Sequence, residues 1–131
     1  MKKHSILYVR RFKFAREQFI ESFADSPLFE VMNVAENIEQ ALILTKTQKP
    51  SLIVTGAIFE DGTVKDLVRG VESILNFRPH IVLVTALSPN NANRYSYGIT
   101  NHAFYNAICV EDLKAYFENL FMPKEVVNEN N

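Results

Sequence analysis

The chain has 131 residues, of which 47% are apolar and 22% charged, a size and composition typical of one domain with a core of its own. Its 14 basic and 15 acidic residues give a formal net charge of −1, which argues against a globally cationic nucleic-acid binder. A single cysteine, Cys109, excludes an intrachain disulfide, and no apolar run is long enough to span a membrane. We therefore expect a cytoplasmic protein that does not bind membranes.

Six basic residues fall within the first 16 positions, before any acidic residue: Lys2, Lys3, Arg10, Arg11, Lys13 and Arg16. An apolar run at residues 6–9 separates the two lysines at the start from the other four. A strand of four residues rises about 13 Å, so the two groups lie at opposite ends of it and form no continuous patch. We therefore expect no direct nucleic-acid binding by this domain.

Strand-like and helix-like segments alternate along the chain. Residues 6–9 are typical of a buried parallel strand. The following apolar residues have helical spacing and predict a helix that ends before residues 25–27, with an inner face of Phe12, Ala15, Phe19, Ile20 and Phe23. Residues 29–34 predict a second strand.

A second helix begins after Asn37, a good N-cap residue with Gln40 at the position that a capping box requires. Its predicted inner face consists of Ile38, Ala41, Leu42 and Thr45. Pro50 marks its end, and residues 52–55 form the third strand.

The third strand ends at Gly56 and leads through a turn at residues 60–62 to a third helix. Thr63 and Asp66 have the spacing of a second capping box. The helix then carries the clearest apolar stripe in the chain: Val64, Leu67, Val68, Val71, Ile74 and Leu75.

The last part of the chain continues the alternation. Residues 81–85 form the most hydrophobic strand, Pro89 opens a polar helix that Gly98 ends, and residues 102–108 contain a short fifth strand. The last helix is lined by Val110, Leu113, Phe117, Leu120 and Phe121. We expect one domain over residues 4–121, followed by a flexible tail or the start of a linker at residues 122–131.

Five strands alternating with five helices predict an α/β fold with helices on both faces of a parallel sheet. The order of the elements and several strings resemble the response-regulator receiver domain (CheY-like): FEV and VAENIEQAL at residues 29–42, KPSLIV at 49–54, IVLVTAL at 81–87, and Gly98 before the last strand. The resemblance covers residues 4–121. It implies a single doubly wound, five-stranded parallel sheet in a flavodoxin-like three-layer sandwich.

The chemistry of that family does not carry over. A receiver holds a divalent cation with an acidic pair after its first strand and accepts a phosphoryl group on an aspartate after its third. A Thr or Ser after its fourth strand and a Lys after its fifth contact that group, because metal and lysine neutralise its charge. The matching positions here are Arg10, Arg11, Gly56, Thr85 and Asn106, so only Thr85 keeps the family's residue type.

The sequence therefore predicts a degenerate receiver that works without phosphorylation, with no catalytic residue, cofactor or metal. Asp61 does not rescue the lost acceptor, because no metal site would stand beside it; we expect it to serve the turn with Gly62. The histidines His4, His80 and His102 are scattered without ligand spacing. Cys109 has no evident base partner and is expected to be a buried or half-buried structural thiol.

Arg10 and Arg11 follow the first strand, at the sheet edge where open α/β proteins place their ligands. Three interpretations stay open. The pair is a solvated surface feature or forms a salt bridge to Glu60 or Asp61; it binds a small anion or nucleotide together with Thr85; or it contacts an acidic partner.

Aromatic residues around the fourth helix and fifth strand form a candidate partner face. Its members are Arg94, Tyr95, Tyr97, Phe104, Tyr105 and Tyr116. Receiver domains use this region for partner contacts and dimers, and aromatic residues with an arginine are the composition of interface hot spots. The leading hypothesis is thus a signalling or transcription-control module that contacts a protein partner, an effector domain or a second copy, and the alternative is a small-anion or nucleotide sensor over Arg10 and Arg11.

Overall fold

The computed structural model describes residues 3–76, 78–96, 98–107 and 109–121. Within these residues no helix combines the length and the apolar character needed to cross a membrane. The elements are β1 (His4–Val9), α1 (Lys13–Ser22), β2 (Phe29–Ala35), α2 (Ile38–Gln48), β3 (Leu52–Thr55), β4 (Ile58–Phe59), β5 (Gly62–Thr63), α3 (Val64–Ile74), β6 (His80–Val84), α4 (Pro89–Ser96), β7 (His102–Phe104) and α5 (Val110–Phe121).

Five parallel strands form one sheet in the order β2-β1-β3-β6-β7. The chain moves outward from β1 in one direction to β2 and in the other to β3, so the topological switch point lies between β1 and β3. This confirms the predicted doubly wound, flavodoxin-like sheet. The expected tail at residues 122–131 lies outside the described residues.

Helices cover both faces of the sheet because alternate strand residues point to opposite sides. One buried cluster packs α2, α3 and α4 on strand residues such as Leu7, Ile53 and Leu83. The other packs α1 and α5 on Ile6, Val54 and their neighbours and is rich in aromatic rings: Tyr8, Phe19, Phe23, Phe29 and Phe117. Every residue of β3 is buried, as expected for a central strand with helices above and below.

The N-terminus of α2 is capped from two directions. The Asn37 side chain accepts a hydrogen bond from the Gln40 amide at 2.8 Å, as predicted. The Asp61 carboxylate, 22 or more residues away in the chain, accepts hydrogen bonds from the amides of Ile38 and Glu39, both at 3.0 Å. Burial acts to raise the pKa of Asp61, but these amides and its own amide lower it more, so that the pKa lies below 3.8. Asp61 is thus a long-range cap as well as a turn residue.

Three residues assigned to the inner faces of helices need correction. Phe12 is the N-cap of α1 rather than part of its inner face and is 53% exposed. Ile20 and Leu120 are also exposed, on the outer sides of α1 and α5. The short fifth strand lies within the predicted range, at His102–Phe104, and the backbone beyond it turns into the left-handed region at Asn106. The short antiparallel hairpin β4–β5 was not anticipated.

Candidate functional site

The candidate site lies at the carboxyl ends of β1, β3 and β6. These strands are neighbours in the sheet, so the residues that follow them, Arg10, Gly56 and Thr85, lie at one edge, at the switch point. Three of the five positions matched to the receiver phosphorylation site therefore share this edge.

Arg10 is half-buried and held by its own backbone. Its amide donates to the Ala35 carbonyl at 3.0 Å, and its carbonyl accepts from the Arg16 guanidinium at 2.8 Å. Its side chain runs over Gly56: a Cβ placed on that glycine would lie 3.0 Å from the Arg10 Cδ atom and 3.3 Å from Nε. Glycine at position 56 thus lets the arginine stem approach the end of β3.

Arg11 is exposed and takes a different direction. Its guanidinium carbon lies 4.8 Å from the centre of the Phe12 ring, a cation–π contact at the surface. Ion pairs in the described part of the chain join Lys13 to Glu17 and Arg78 to Glu72, and neither arginine at positions 10 and 11 pairs with Glu60 or Asp61 there. The salt-bridge interpretation of the arginine pair is therefore not supported.

Thr85 and the loop after β7 form the other side of the edge. Thr85 is 6% exposed, and its hydroxyl oxygen accepts a hydrogen bond from the Leu87 amide at 3.2 Å. Asn106 and Ala107 both have positive φ values, 58° and 56°, and their amides donate to the carbonyls of Leu87 and Thr85 at 3.1 Å. Asn106, which the sequence comparison matched to the family's lysine, is exposed.

Two cavities open on this edge, one on each side of a ridge formed by Arg10 and Val84–Ala86, which line both. The first, of about 210 Å³, lies between α1 and α5 and is also lined by Tyr8, Phe19, Cys109 and Leu113. The second, of about 170 Å³, lies over Gly56 and is also lined by Arg11 and Phe12. The Arg10 side chain reaches toward the first, with Nη1 3.4 Å from the Tyr8 hydroxyl.

The predicted partner face is only partly exposed. Arg94 is exposed, whereas Tyr95 and Tyr105 pack against the α2–α3–α4 core cluster, and Phe104 and Tyr116 pack against the α1–α5 cluster. Each of these four aromatic side chains is half-buried and keeps some solvent-accessible surface. Tyr97 lies outside the described residues.

A cluster of two histidines around Tyr116 was missed by the sequence interpretation. The His80 Nε2 atom is 2.8 Å from the Tyr116 hydroxyl, and the His102 ring stacks on Tyr116 with centroids 4.5 Å apart. The strand register brings these residues together, because His102 is opposite Val82 and therefore shares a face with His80. Burial, followed by the charges of His102 and Arg78, lowers the pKa of His80 below 6.5. Burial raises the pKa of Tyr116 above 10.0.

Cys109 is exposed, contrary to the expectation of a buried or half-buried thiol. Cys109 directly precedes α5, and its Sγ atom is 3.1 Å from the carboxylate of Asp112 in the first turn of that helix. In the described ranges no group of three or more His, Cys, Asp or Glu side chains is arranged to hold a metal ion.

Comparisons with known proteins give matches at the level of structure. No protein-family model matches the sequence, and no curated protein matches it. A response regulator receiver protein from Pseudomonas putida has 15% sequence identity and a TM-score of 0.77, with 91% of this chain and 98% of that chain covered. A CheY-like receiver domain from Methylobacillus flagellatus has 14% identity and a TM-score of 0.74, with coverage of 91% and 99%.

A DNA-binding response regulator of the LuxR family from Staphylococcus aureus has 12% identity and a TM-score of 0.76, with 89% of this chain and 98% of that chain covered. At such low identity, likeness of structure establishes the fold and leaves the chemistry of the site open. The strand order and the helices on both faces agree with these neighbours. This chain therefore has the fold of the response-regulator receiver domains.

Proposed function

We propose that this chain is a receiver-like signalling module that works without phosphorylation and acts through contact with another protein or a second copy. The observation that carries the proposal is the placement of Arg10 over Gly56. The position of the family's acceptor carboxylate has no side chain, and the stem of a cationic residue lies against it.

The electrostatics of the edge support the same conclusion. Receiver chemistry needs a divalent cation beside the acceptor, and such cations bind to carboxylate and carbonyl oxygens. Arg10 and Arg11 replace both expected carboxylates with guanidinium groups, which have no acceptor atoms and repel cations. The nearest acidic candidate in sequence, Asp61, has both carboxylate oxygens engaged at the N-terminus of α2.

A phosphorylation assay tests this proposal. The protein is incubated with acetyl phosphate and magnesium, or with beryllofluoride and magnesium, and then examined by intact mass spectrometry and thermal melting. We expect no adduct and no magnesium-dependent change in the melting midpoint at a fixed anion concentration. A magnesium-dependent adduct on the unaltered chain would contradict the proposal.

Gly56→Asp is the matched variant for that assay. It supplies the missing acceptor but leaves both arginines, so we expect an ion pair with Arg10 and still no adduct. A second variant that adds Arg10→Asp and Arg11→Asp restores the oxygen ligands for the cation. An active receiver domain serves as the positive control for the reagents.

A second candidate function is a sensor of small anions. Arg10 supports it, because this half-buried residue and Thr85 line the same two cavities at the switch point. A ligand that binds only the native state raises the melting midpoint. We expect millimolar phosphate or sulfate to raise it, and an Arg10→Ala/Arg11→Ala variant to lose the rise; an unchanged midpoint in the parent protein would refute the sensor.

A further inference from the structure

The cavity between α1 and α5 has the features of a ligand site. We propose that it binds a small organic monocarboxylate with a single flat apolar ring, which deepens and rests on the anion-sensor candidate. Its lining combines a polar, cationic part, with Tyr8, Arg10 and Thr85, and an apolar part, with Phe19, Val84 and Leu113. This combination matches a ligand that carries both a charged group and an apolar group.

The polar part of the lining contains two hydroxyl groups whose protons have no acceptor among the described residues. Tyr8 is 4% exposed, and within the described residues its hydroxyl has one hydrogen-bond partner, the Arg10 guanidinium, which can only donate. The buried Thr85 hydroxyl uses its oxygen to accept from the Leu87 amide, and its proton finds no acceptor among those same residues. Buried polar groups normally find partners, so two O–H donors beside one cavity that have no acceptor among the described residues point to an acceptor bound there.

These donors suit a carboxylate at neutral pH. Burial raises the pKa of Tyr8 above 10.0 against the smaller opposing effect of Arg10, so the tyrosine keeps its proton and can donate it. Arg10 adds a permanent positive charge and N–H groups arranged to match two carboxylate oxygens. Its backbone is fixed by Ala35 and Arg16, and its stem is seated on Gly56, so little ordering of the arginine is needed on binding.

The volume of the cavity and the apolar part of its lining indicate which group the carboxylate is attached to. The cavity has about 210 Å³, and an apolar cavity of about 150 Å³ is large enough for one benzene molecule. One ring with a carboxylate therefore fits, whereas a nucleotide is too large. A fully hydrated ion such as phosphate leaves the surfaces of Phe19 and Leu113 uncovered and gains nothing from them.

The test uses benzoate as the probe, with benzamide as its neutral analogue and inorganic phosphate as the ring-free anion. Binding is measured by titration calorimetry and by the melting midpoint of the full chain. We expect saturable benzoate binding, with benzamide and phosphate at least about tenfold weaker. Benzamide lacks the ionic hydrogen bond, which contributes about that factor, and phosphate lacks the apolar ring.

Variants distinguish this cavity from the rest of the edge. Arg10→Gln is expected to weaken benzoate binding about tenfold or more, and Ala15→Leu to block it by filling the cavity from α1, with folding checked by circular dichroism. Lys13→Gln is the matched control, because Lys13 is an exposed basic residue at the start of α1 that lines neither cavity; we expect a change within about twofold.

Each outcome decides between the proposals. If phosphate binds through Arg10 and benzoate does not, the ligand class is wrong while the anion sensor stands. If neither binds, both are wrong. Benzamide binding as tightly as benzoate, or benzoate binding unaffected by Arg10→Gln and Ala15→Leu, overturns carboxylate recognition in this cavity. None of these results depends on the phosphorylation assay.

Discussion

At the scale of single residues, Asp61 joins two distant parts of the chain. It lies in the β4–β5 turn and hydrogen-bonds the first amides of α2, where a helix has unsatisfied donors and a partial positive charge. We expect Asp61→Ala to lower the free energy of unfolding by about 1 kcal/mol, as the loss of an N-cap does. Denaturant titration measures this change.

Glu60→Ala is the matched control for Asp61→Ala. Glu60 is the exposed neighbour with the same charge, and its removal should alter stability by less than about 0.5 kcal/mol. Equal effects of the two substitutions would show that Asp61 contributes through net charge rather than through the α2 amides.

Lys49 occupies an unfavourable backbone conformation at the end of α2. It adopts φ 49° and ψ 68°, the left-handed conformation in which a Cβ atom is strained and glycine is preferred. We expect Lys49→Gly to raise the free energy of unfolding by about 1 kcal/mol. Lys46→Gly removes the same charge within the helix and should lower it by about 1 kcal/mol, so a loss of stability in both variants would contradict the prediction.

At the scale of elements, the periodicity of apolar residues predicted the helices and their buried faces. It could not predict contacts that depend on how the strands are paired. The stripe from Val64 to Val71 identified α3 and its buried face, and Asn37 identified the start of α2. The different directions of Arg10 and Arg11 have no sequence signal, because both residues follow the same strand. The His80–Tyr116–His102 cluster requires the pairing of β6 with β7, which the sequence alone does not specify.

That histidine cluster makes the β6–β7–α5 region sensitive to pH. Because burial and neighbouring charges hold the folded pKa of His80 below 6.5, the unfolded chain binds more protons as the pH falls through this range. The contribution of His80 to stability is therefore present above pH 6.5 and is lost as the pH decreases through the folded pKa. We expect His80→Gln to flatten the decline in the free energy of unfolding between about pH 7.5 and about pH 5.5.

An NMR titration of the His80 ring gives the complementary measurement. His102→Gln removes one of the positive charges that lower the pKa of His80, so this pKa should move upward toward 6.5. Arg78 remains as a second charge, and burial remains as the main cause, so the recovery is partial. A His80 pKa that stays unchanged in His102→Gln would show that the two rings are not coupled.

At the scale of the whole molecule, the fold does not determine the chemistry of the site that it carries. The hydrophobic pattern produces the same sheet as in solved receiver domains that share 12–18% identity with this chain, while the edge at the switch point carries Arg10, Arg11 and Gly56. A fold constrains where a site can form and leaves its chemistry free to change. The sequence could therefore predict the architecture and the placement of Arg10, Gly56 and Thr85 at one edge of the sheet, whereas the two cavities and the contact of Arg10 with Gly56 depend on the three-dimensional packing.

The proposed protein contact is testable through the state of association. Arg94, at the exposed C-terminal end of α4, belongs to the predicted partner face, and a charge reversal there should oppose self-association without disturbing the core. We expect sedimentation velocity over a concentration series to show dimers of the parent protein and a weaker dimer, by about tenfold or more, for Arg94→Glu. Arg69→Glu, an equal charge change at an exposed position on α3, is the control and should leave association unchanged. A parent protein that remains monomeric at all concentrations, or equal weakening by both variants, would refute self-association through this face.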